Sequence, residues 1–479
     1  MIDDGIFLLT LTVLVIIQRL FFHPLRCFPG EKLAAVSLIH EAWYNTIGKL
    51  PLHAQELYKK YGDFVRTGPN QVSVNNVDAL NPKHGIYERG PMYEIATLFG
   101  AAGLSTMRDR ARHKIWRKIW DKGFTSAALE DYIPRVQYHV DRLMDVIQNS
   151  KEKEIRIDLR TDEFAHDVIS DLGFGVEKGL QEGHGNREYF ESIKLPLALV
   201  QPIGSLRMLG EFFSVFPLLK GNNPLNSAGE ALFEARRSMG LSRKDIFSHL
   251  MSADYRTAPP HLVAFHGNEL SSNAQVLLLA GTITISTTIS MALYELSRNK
   301  DLQTRLYQEL LETFPNSPYD EITVNVVKRL PYLNAVINET LRLHPPTPNG
   351  TQYIVPDDGR TIDGSWLPGG TVMRTCPFAI QRDERYFSQA EAFFPERWTT
   401  RPELIKDRNA FIPFATGPYV CVGKNLALQE IRLALANIIR VYRVSLGPSF
   451  NNKVFWDEWK DRFVLRIGPS PLVFTSRID

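Results

Sequence analysis

Hydrophobic and polar positions along the chain recur mostly with helical periodicity. This period dominates residues 107–246, and residues 273–299 form one long stretch that is apolar on nearly every side. A helix of that length with no polar face is typical of the core of a large domain. Short strand-like runs occur in residues 51–80 and 353–373, and a final helical stretch, 421–441, precedes a strand-like tail. The pattern predicts a mainly α protein with a small β-rich part.

The amino-terminal segment is more hydrophobic than a globular core requires. Residues 5–17 carry no charge, although this unbroken run is shorter than the ~20 residues of a clean membrane span. Two aspartates precede it and bulky phenylalanines follow it, which argues against a cleaved secretory signal. Basic residues come next, and by the positive-inside tendency they leave the rest of the chain in the cytosol. We predict that residues 1–25 form an uncleaved membrane anchor; a helix lying in the membrane surface is the alternative.

Composition and charge exclude some functional classes. The chain has 479 residues, of which 44% are apolar, and its 55 basic residues nearly balance its 53 acidic ones. So small a net charge gives no field that attracts nucleic acid, and we expect no nucleic-acid partner. The three cysteines, Cys27, Cys376 and Cys421, are far apart and form no CxxC motif. We therefore expect neither a disulfide framework nor a cysteine zinc cage.

Cys421 differs from the other cysteines in its neighbours. Phe414 and Gly417 precede it, Gly423 follows it, and a helical pattern begins at once. The dipole and N–H groups of a helix start favour a thiolate, and the glycines permit a turn and a close approach to the backbone. A thiolate on such a loop suits haem iron with a sulfur ligand. The alternative is a buried structural cysteine.

A second group of residues lies earlier in the chain. Glu339 and Arg342 are three residues apart in a helical stretch that ends before two prolines, so their side chains share one face. Arg397 follows in a Phe-Pro-Glu-Arg-Trp segment. Taken alone, the Glu339–Arg342 pair would be a solvated ion pair on the surface.

Together these segments resemble the cytochrome P-450 family. The residues from Phe414 to Gly423 are similar to its haem-binding loop, usually written FxxGxRxCxG, with Tyr419 in place of the arginine. The resemblance implies that Cys421 is the axial ligand of the iron in haem b, and that Phe414, Gly417, Tyr419 and Gly423 surround the cofactor.

The earlier group is similar to the family's ExxR helix and its PERF-like segment. The resemblance implies that Glu339, Arg342 and Arg397 form a buried network that locks the segment leading to the thiolate loop. Removal of one partner from such a network leaves a buried charge without compensation.

The sequence Ala-Gly-Thr-Ile-Thr lies midway along the predicted long helix and is similar to the family's A/G-G-x-D/E-T pattern. Gly281 and a back-bonding Thr284 both loosen the helical hydrogen bonds. The resemblance implies that the helix bends there and that the Thr284 hydroxyl acts on the oxygen side of the haem; the alternative is an ordinary helix threonine. Ile283 replaces the usual acid, so proton delivery would depend on water or on Ser286 and Thr287.

His113 and Arg117 lie one helical turn apart on one face. The resemblance implies that both bind the haem propionates, with a surface histidine as the alternative for His113. Many family members carry arginine at the positions of Tyr419 and Tyr353. A phenol supplies one neutral donor where guanidinium supplies a charge, so we expect looser haem retention.

Candidate pocket walls come from three stretches of the sequence. The resemblance implies that an apolar small-molecule substrate contacts Leu98, Phe99, Val276, Leu277 and Thr351. Each of these side chains would otherwise be part of the core.

The resemblance implies one mainly α domain, residues 26–479, with a small β-rich lobe and haem between the long helix and the thiolate loop. The implied reaction is mono-oxygenation of an apolar secondary metabolite, such as a terpenoid or polyketide, with electrons from NADPH through a cytochrome P-450 reductase. Likeness to fungal microsomal members implies the endoplasmic reticulum membrane, with the catalytic domain in the cytosol. Two alternatives remain: rearrangement or dehydration without dioxygen activation, suggested by Ile283, and a degenerate haem-binding relic, suggested by Tyr353, Tyr419 and Gln381.

Overall fold

Long helices and short strands make up the computed structural model of this chain, which describes residues 2–81, 87–94, 102–150, 154–185, 188, 191–192, 197–206, 224–240, 243–254, 256, 258–316 and 321–477. The α-helices of this part are α1 (Ile2–Ile17), α2 (Lys32–Val36), α3 (Ile39–Ile47), α4 (Leu50–Tyr61), α5 (Arg110–Lys122), α6 (Ser126–Gln148), α7 (Ile157–Phe174), α8 (Leu197–Ser205), α9 (Pro224–Ser238), α10 (Ile246–Met251), α11 (Glu269–Arg298), α12 (Lys300–Thr313), α13 (Val324–Val327), α14 (Pro331–Leu343), α15 (Pro377–Ile380), α16 (Lys424–Val441) and α17 (Asn452–Asp457).

The strands join sections that are far apart in sequence. They are β1 (Phe64–Gly68), β2 (Gln71–Val74), β3 (Glu88–Arg89), β4 (Ile155–Arg156), β5 (Gln352–Ile354), β6 (Arg360–Ile362), β7 (Ser365–Leu367), β8 (Val372–Thr375), β9 (Tyr442–Leu446), β10 (Lys460–Arg462), β11 (Val464–Arg466) and β12 (Pro471–Ser476). The larger sheet has the order β1-β2-β8-β5-β3, with β2 and β8 parallel and the other neighbours antiparallel. A smaller antiparallel sheet has the order β4-β12-β9, and β6–β7 and β10–β11 form hairpins.

The long helix α11 forms the centre of the helical part. It packs against α7, α9, α14 and α16, so that neighbours cover most of its circumference. Ile289, Ala292 and Leu293 on this helix are fully buried. Its apolar composition is therefore explained by burial in the core, and the predicted mainly α fold with a small β-rich lobe is confirmed.

The last long helix begins later than the sequence pattern predicts. Helix α16 starts at Lys424, whereas Cys421 lies in the preceding loop. The Cys421 N–H donates to the carbonyl oxygen of Phe414 at 2.9 Å, which closes the loop and keeps residue 421 out of the helix. The predicted helix start at residue 421 was thus wrong by three positions, and Cys421 lies in the loop before the helix.

The amino-terminal helix α1 projects its apolar side chains outward. Phe7 is 67% exposed and Leu9 is 66% exposed. Thr10 and Thr12 donate their hydroxyls to carbonyl oxygens within the helix, which leaves no polar face. In the described chain, two helical stretches are long and apolar enough to cross a membrane, Asp4–Phe22 and the core helix Glu269–Arg298.

Candidate active site

A cavity of about 420 Å³ opens beside α11 and the loop that carries Cys421. Its walls are mainly apolar and come from α5, α7, α8, α11, α14, α16 and the β10–β11 hairpin. The predicted site residues that line it are Cys421, Phe414, Tyr419, Gly423, His113, Arg117, Gly281, Thr284, Val276, Leu277 and Thr351. Leu98 and Phe99 lie outside the described residues.

The cysteine loop is shaped by its glycines. Gly417 has a φ of +64° at the start of a single 3-10 turn, a backbone region that favours glycine. It lies at this turn and is not part of the cavity wall. A Cβ atom on Gly423 would stand 4.0 Å from the Cys421 sulfur and 3.7 Å from the Phe124 ring. The glycine therefore keeps the space beside the sulfur open.

The electrostatic environment of Cys421 differs from the expectation for a helix start. Burial raises the pKa of its thiol, and the N–H groups of Gly423 and Lys424 with the charge of Arg117 act in the opposite direction without outweighing burial. The sulfur is enclosed by protein yet open to the cavity. A stable thiolate here needs a cation in that cavity, which is the partner a haem iron provides.

Arg89 is a cavity residue that the sequence analysis did not single out. It belongs to β3 and is buried, with its guanidinium 4.5 Å from the centre of the Tyr419 ring and 4.9 Å from that of Tyr93. Its Nε atom has no hydrogen-bond partner among the described residues. The cationic group is therefore held in the cavity wall by aromatic faces, with a donor left for a ligand.

His113 lies beside the same tyrosine. Its ring centre is 4.8 Å from that of Tyr419, and the side chain is 5% exposed, which excludes a surface histidine. Burial, followed by the positive charges of Arg89 and Arg117, lowers the pKa of His113 to about 4. The ring is a neutral donor at pH 7. Arg117 donates to the carbonyl oxygen of Val420 and to Asp121, which ties α5 to the cysteine loop.

The second tyrosine at a family arginine position lies behind the first. Tyr353 is buried, with its ring centre 6.4 Å from Tyr419 and 5.7 Å from Tyr87. It is not part of the cavity wall. Burial raises the pKa of Tyr353 to about 12, so it stays neutral. The rings of Tyr419, Tyr353 and Tyr87 thus lie in a row, and two of them stand where the family carries arginine.

The donor groups of the cavity fit haem b. The cavity offers one thiol, two guanidinium groups from Arg89 and Arg117, a neutral imidazole and apolar walls. These groups match a planar apolar macrocycle that carries one metal ion and two carboxylates. The unsatisfied Nε of Arg89 is the clearest sign that an acidic ligand belongs there.

The long helix contributes both predicted oxygen-side residues. The Thr284 hydroxyl faces the cavity and donates to the carbonyl oxygen of Ala280 at 2.7 Å. A Cβ atom on Gly281 would lie 2.4 Å from Cγ1 of Ile169, so this glycine permits the close contact between α11 and α7. Position 281 therefore needs a residue without a side chain for helix packing, a reason that the sequence pattern did not indicate.

The residues around Thr284 constrain proton delivery. Ile283 packs against Leu197 and Val464 in an apolar cluster. Ser286 donates to Asp162 at 2.6 Å and Thr287 donates to the Leu465 carbonyl oxygen, and neither lines the cavity. The structure therefore places neither hydroxyl on the cavity wall beside Thr284.

One further hydroxyl does lie near Thr284. Thr288 lines the cavity and donates to the carbonyl oxygen of Thr284. Thr284 and Thr288 thus place two hydroxyls of the same helix on the cavity wall.

Glu339 is the centre of a fully buried ion network. One of its oxygens accepts from Arg342, from Arg397 and from the Phe394 N–H, each at 2.8–2.9 Å. The other accepts from Arg342 and from the Trp398 indole, both at 2.9 Å. Burial alone would raise the pKa of Glu339, but the two guanidinium groups outweigh it and hold that pKa below its usual range. The carboxylate is charged and fully satisfied, which rules out the solvated surface pair.

Gln381 connects this network to the cysteine loop. Its amide nitrogen donates to the carbonyl oxygens of Leu341 and Arg342, and its amide oxygen accepts from the Ile412 N–H at 2.9 Å. Ile412 precedes Phe414, whose carbonyl receives the Cys421 N–H. The glutamine thus helps to connect α14 to the segment that holds the Cys421 backbone, which weakens the case for a degenerate relic.

Comparison with known proteins agrees with this geometry. A family model described as cytochrome P-450 matches residues 29–470. A cytochrome P-450 monooxygenase of Eupenicillium brefeldianum, orf5, is 34% identical over 98% of this chain and 95% of that protein. Another, phqL of Penicillium fellutanum, is 35% identical over 97% of this chain and 82% of that protein. The tryprostatin B 6-hydroxylase of Aspergillus fumigatus is 29% identical over 98% of this chain and 84% of that protein.

Proposed function

Because this chain belongs to the cytochrome P-450 family of haem-thiolate monooxygenases, we propose that it hydroxylates an apolar small molecule, a secondary metabolite of the terpenoid or polyketide kind. Members of the family use haem b, a redox partner and a small-molecule substrate. The observation that carries the proposal is the mainly apolar cavity that holds both Cys421 and Thr284. A relative named as a hydroxylase supports this type of reaction.

Haem b supplies the oxygen chemistry when it is bound, and the chain supplies ligation, orientation and protons. Cys421 provides the thiolate, while Arg89, Arg117 and His113 bind the carboxylates of the cofactor. Val276, Leu277 and Thr351 contact the substrate, whose orientation depends on the shape of these apolar walls. That Leu98 and Phe99 also contact the substrate is proposed from the sequence alone, since both lie outside the described residues.

Thr284 is proposed to pass a proton from cavity water through its Oγ1 atom. Thr284→Ala should lower the amount of product formed for each NADPH consumed, because the hydroxyl is replaced and Ile283 supplies no acid. The measurement is a reconstituted turnover assay with reductase, NADPH and dioxygen, in which product and NADPH are both quantified. Thr282→Ala is the matched control, since Thr282 is buried on the same helix and donates to its own Leu278 carbonyl.

The same assay separates the proposed hydroxylation from the runner-up function. The runner-up is an enzyme that rearranges or dehydrates its substrate without activating dioxygen. The observation behind it is that Ile283 packs in an apolar cluster and supplies no acid for proton delivery. Such an enzyme would turn over without reductase or dioxygen, and that result would contradict the proposal. Equal product yields for Thr284→Ala and the parent protein would remove Thr284 from the mechanism.

Arg89 is proposed to replace the arginine that the cysteine loop lacks. Arg89→Leu should release haem roughly tenfold to hundredfold faster, because a charge-assisted hydrogen bond to a carboxylate contributes about 1.5–3 kcal/mol. The measurement is haem transfer from the purified protein to an excess of an apo-haem protein, followed by absorbance. Arg142→Leu is the control, since Arg142 is 41% exposed and lies outside the cavity wall.

A double substitution tests the replacement directly. Tyr419→Arg in the Arg89→Leu protein restores a guanidinium at the position where the family carries one, and it should slow haem release towards the parent rate. Unchanged haem release in Arg89→Leu would show that this side chain does not hold the cofactor.

We also propose that α1 anchors the enzyme in the endoplasmic reticulum membrane, with the catalytic domain in the cytosol beside an NADPH–cytochrome P-450 reductase. The exposed apolar side chains of α1 support this, and Leu33 and Trp43, which follow it in sequence, are also exposed, at 74% and 62%. Deletion of residues 2–22 should shift the protein from the alkali-resistant membrane fraction towards the alkali-soluble one. Retention of the full amount in the alkali-resistant fraction would contradict the anchor.

A further inference from the structure

Three side chains that follow the membrane anchor converge outside the haem cavity. Glu31 stands immediately before α2, His40 lies in α3 and His53 lies in α4. One carboxylate oxygen of Glu31 is 3.1 Å from Nε2 of His40 and 3.4 Å from Nε2 of His53. The three ligand atoms lie within 4.8 Å of one another. Consecutive elements thus direct one carboxylate and two imidazoles to a common point.

Pairing of Glu31 with the two histidines accounts for only part of this convergence. Among the described residues, neither the Glu31 Oε2 atom nor the His53 Nε2 atom makes a contact with good hydrogen-bond geometry, although both atoms are buried and lie 3.4 Å apart. Buried polar atoms in native proteins are almost always satisfied by protein, water or an ion. Tyr44 stacks on His53 with ring centres 3.8 Å apart and planes within 5°, which fixes the orientation of the imidazole.

Space for a small ligand is present at the same place. A cavity of about 20 Å³ is lined by Glu31, His40 and His53, and its volume suits one water molecule. The guanidinium of Arg374 also borders this cavity, but it is paired with the Glu41 carboxylate at 2.9 Å. Arg66 borders it too and donates to the backbone carbonyl oxygens of Gly68, Arg19 and Pro69. Among the described residues, neither guanidinium is therefore ion-paired with Glu31.

We propose that Glu31, His40 and His53 bind a Zn²⁺ ion. Imidazole nitrogen and carboxylate oxygen are ligands that zinc prefers, at distances of about 2.0–2.2 Å. Two such ligands at a tetrahedral angle stand roughly 3.3 Å apart, close to the two observed oxygen–nitrogen separations. Three protein ligands leave the fourth position for the water that the small cavity admits.

The ion would join the segments α2, α3 and α4 to one another directly after the anchor. These helices are short, and α2 has no side-chain hydrogen bond at its start. A metal bound only by the folded arrangement stabilises that arrangement by mass action. The site is independent of the haem cavity, so it does not depend on the proposed reaction.

Zinc binding by the purified holoenzyme tests this inference. Bound haem occupies Cys421 and removes that thiol from competition. After chelator treatment and gel filtration, titration with Zn²⁺ should give one bound ion per chain and a higher temperature of unfolding. Glu31→Gln and His53→Ala should each abolish stoichiometric binding and the thermal shift, whereas His261→Ala and Cys27→Ser should keep both.

Glu31→Gln is the decisive variant, because it preserves side-chain volume and removes no helix cap. An unchanged haem spectrum shows that the variant is folded. Zinc bound equally by this variant and by the parent protein, or no stoichiometric zinc in the parent protein, would overturn the inference. The second result would leave the three side chains as an ion-paired cluster without a metal.

Discussion

Cys421→Ser is expected to abolish turnover and to remove the strongly red-shifted Soret band of the reduced, carbon monoxide-bound protein. The Cys421 thiol faces the cavity and can bind iron as a thiolate, whereas a serine hydroxyl does not ionise at neutral pH. Burial raises the pKa of the thiol, so a bond to the iron of bound haem would be needed to hold the sulfur anionic. The difference spectrum of reduced protein with and without carbon monoxide measures the effect.

The other two cysteines provide matched controls. Cys376 is fully buried and donates to the Pro348 carbonyl oxygen, whereas Cys27 is exposed. Serine at either position should leave the Soret band in place. A red-shifted band that survives in Cys421→Ser would disprove the ligand assignment, and its absence from the parent protein would favour the degenerate relic.

Glu339→Gln is expected to lower the free energy of unfolding by about 3–5 kcal/mol, because it leaves two buried guanidinium groups without a counter-charge. The substitution should also weaken the retention of haem. Arg342 and Gln381 connect α14 to Ile412 and so to the loop that carries the thiol. Denaturant unfolding gives the stability change, and the haem-to-protein absorbance ratio gives the retention of the cofactor.

An exposed pair with the same spacing isolates the effect of burial. Glu56 and Lys59 are also three residues apart, but their side chains are 67% and 61% exposed. Glu56→Gln should change stability by less than about 1 kcal/mol, since exposed ion pairs contribute little. Equal effects of the two substitutions would contradict a structural role for the Glu339 network.

The residues that sequence reasoning located are those whose role depends on local spacing. Cys421 with its glycines, and Glu339 with Arg342, lie within single short segments, so their types and intervals indicate the chemistry. The start of α16 was misplaced because a long-range bond from the Cys421 N–H to Phe414 decides it. Gly281 was interpreted through the helix backbone, while its observed contact is with Ile169 on another helix.

Arg89 was missed for a related reason. It reaches the cavity because β3 pairs with β5, a strand more than two hundred positions further along the chain. No periodicity within either segment reveals that pairing. The available signal was charge balance: Tyr419 and Tyr353 both replace arginines, so another cation had to come from elsewhere. Glu430 on α16 was also missed. It is buried from solvent and lines the cavity, and burial raises its pKa well above the usual value. The sequence pattern of α16 does not indicate which of its side chains face that cavity.

The burial of α11 has a consequence beyond the shape of the cavity. Its most apolar 18-residue window has a mean hydropathy of 1.9, close to the 2.2 of the amino-terminal segment, so by length and composition alone both stretches could cross a membrane. Thr282, Thr284 and Thr288 do not make this helix polar, since each hydroxyl donates to a carbonyl oxygen of α11 itself. Close packing against α7 at Gly281 instead covers this stretch in the folded protein. The contact that shapes the cavity wall therefore also hides an apolar segment that, if left uncovered, would suit lipid as well as protein.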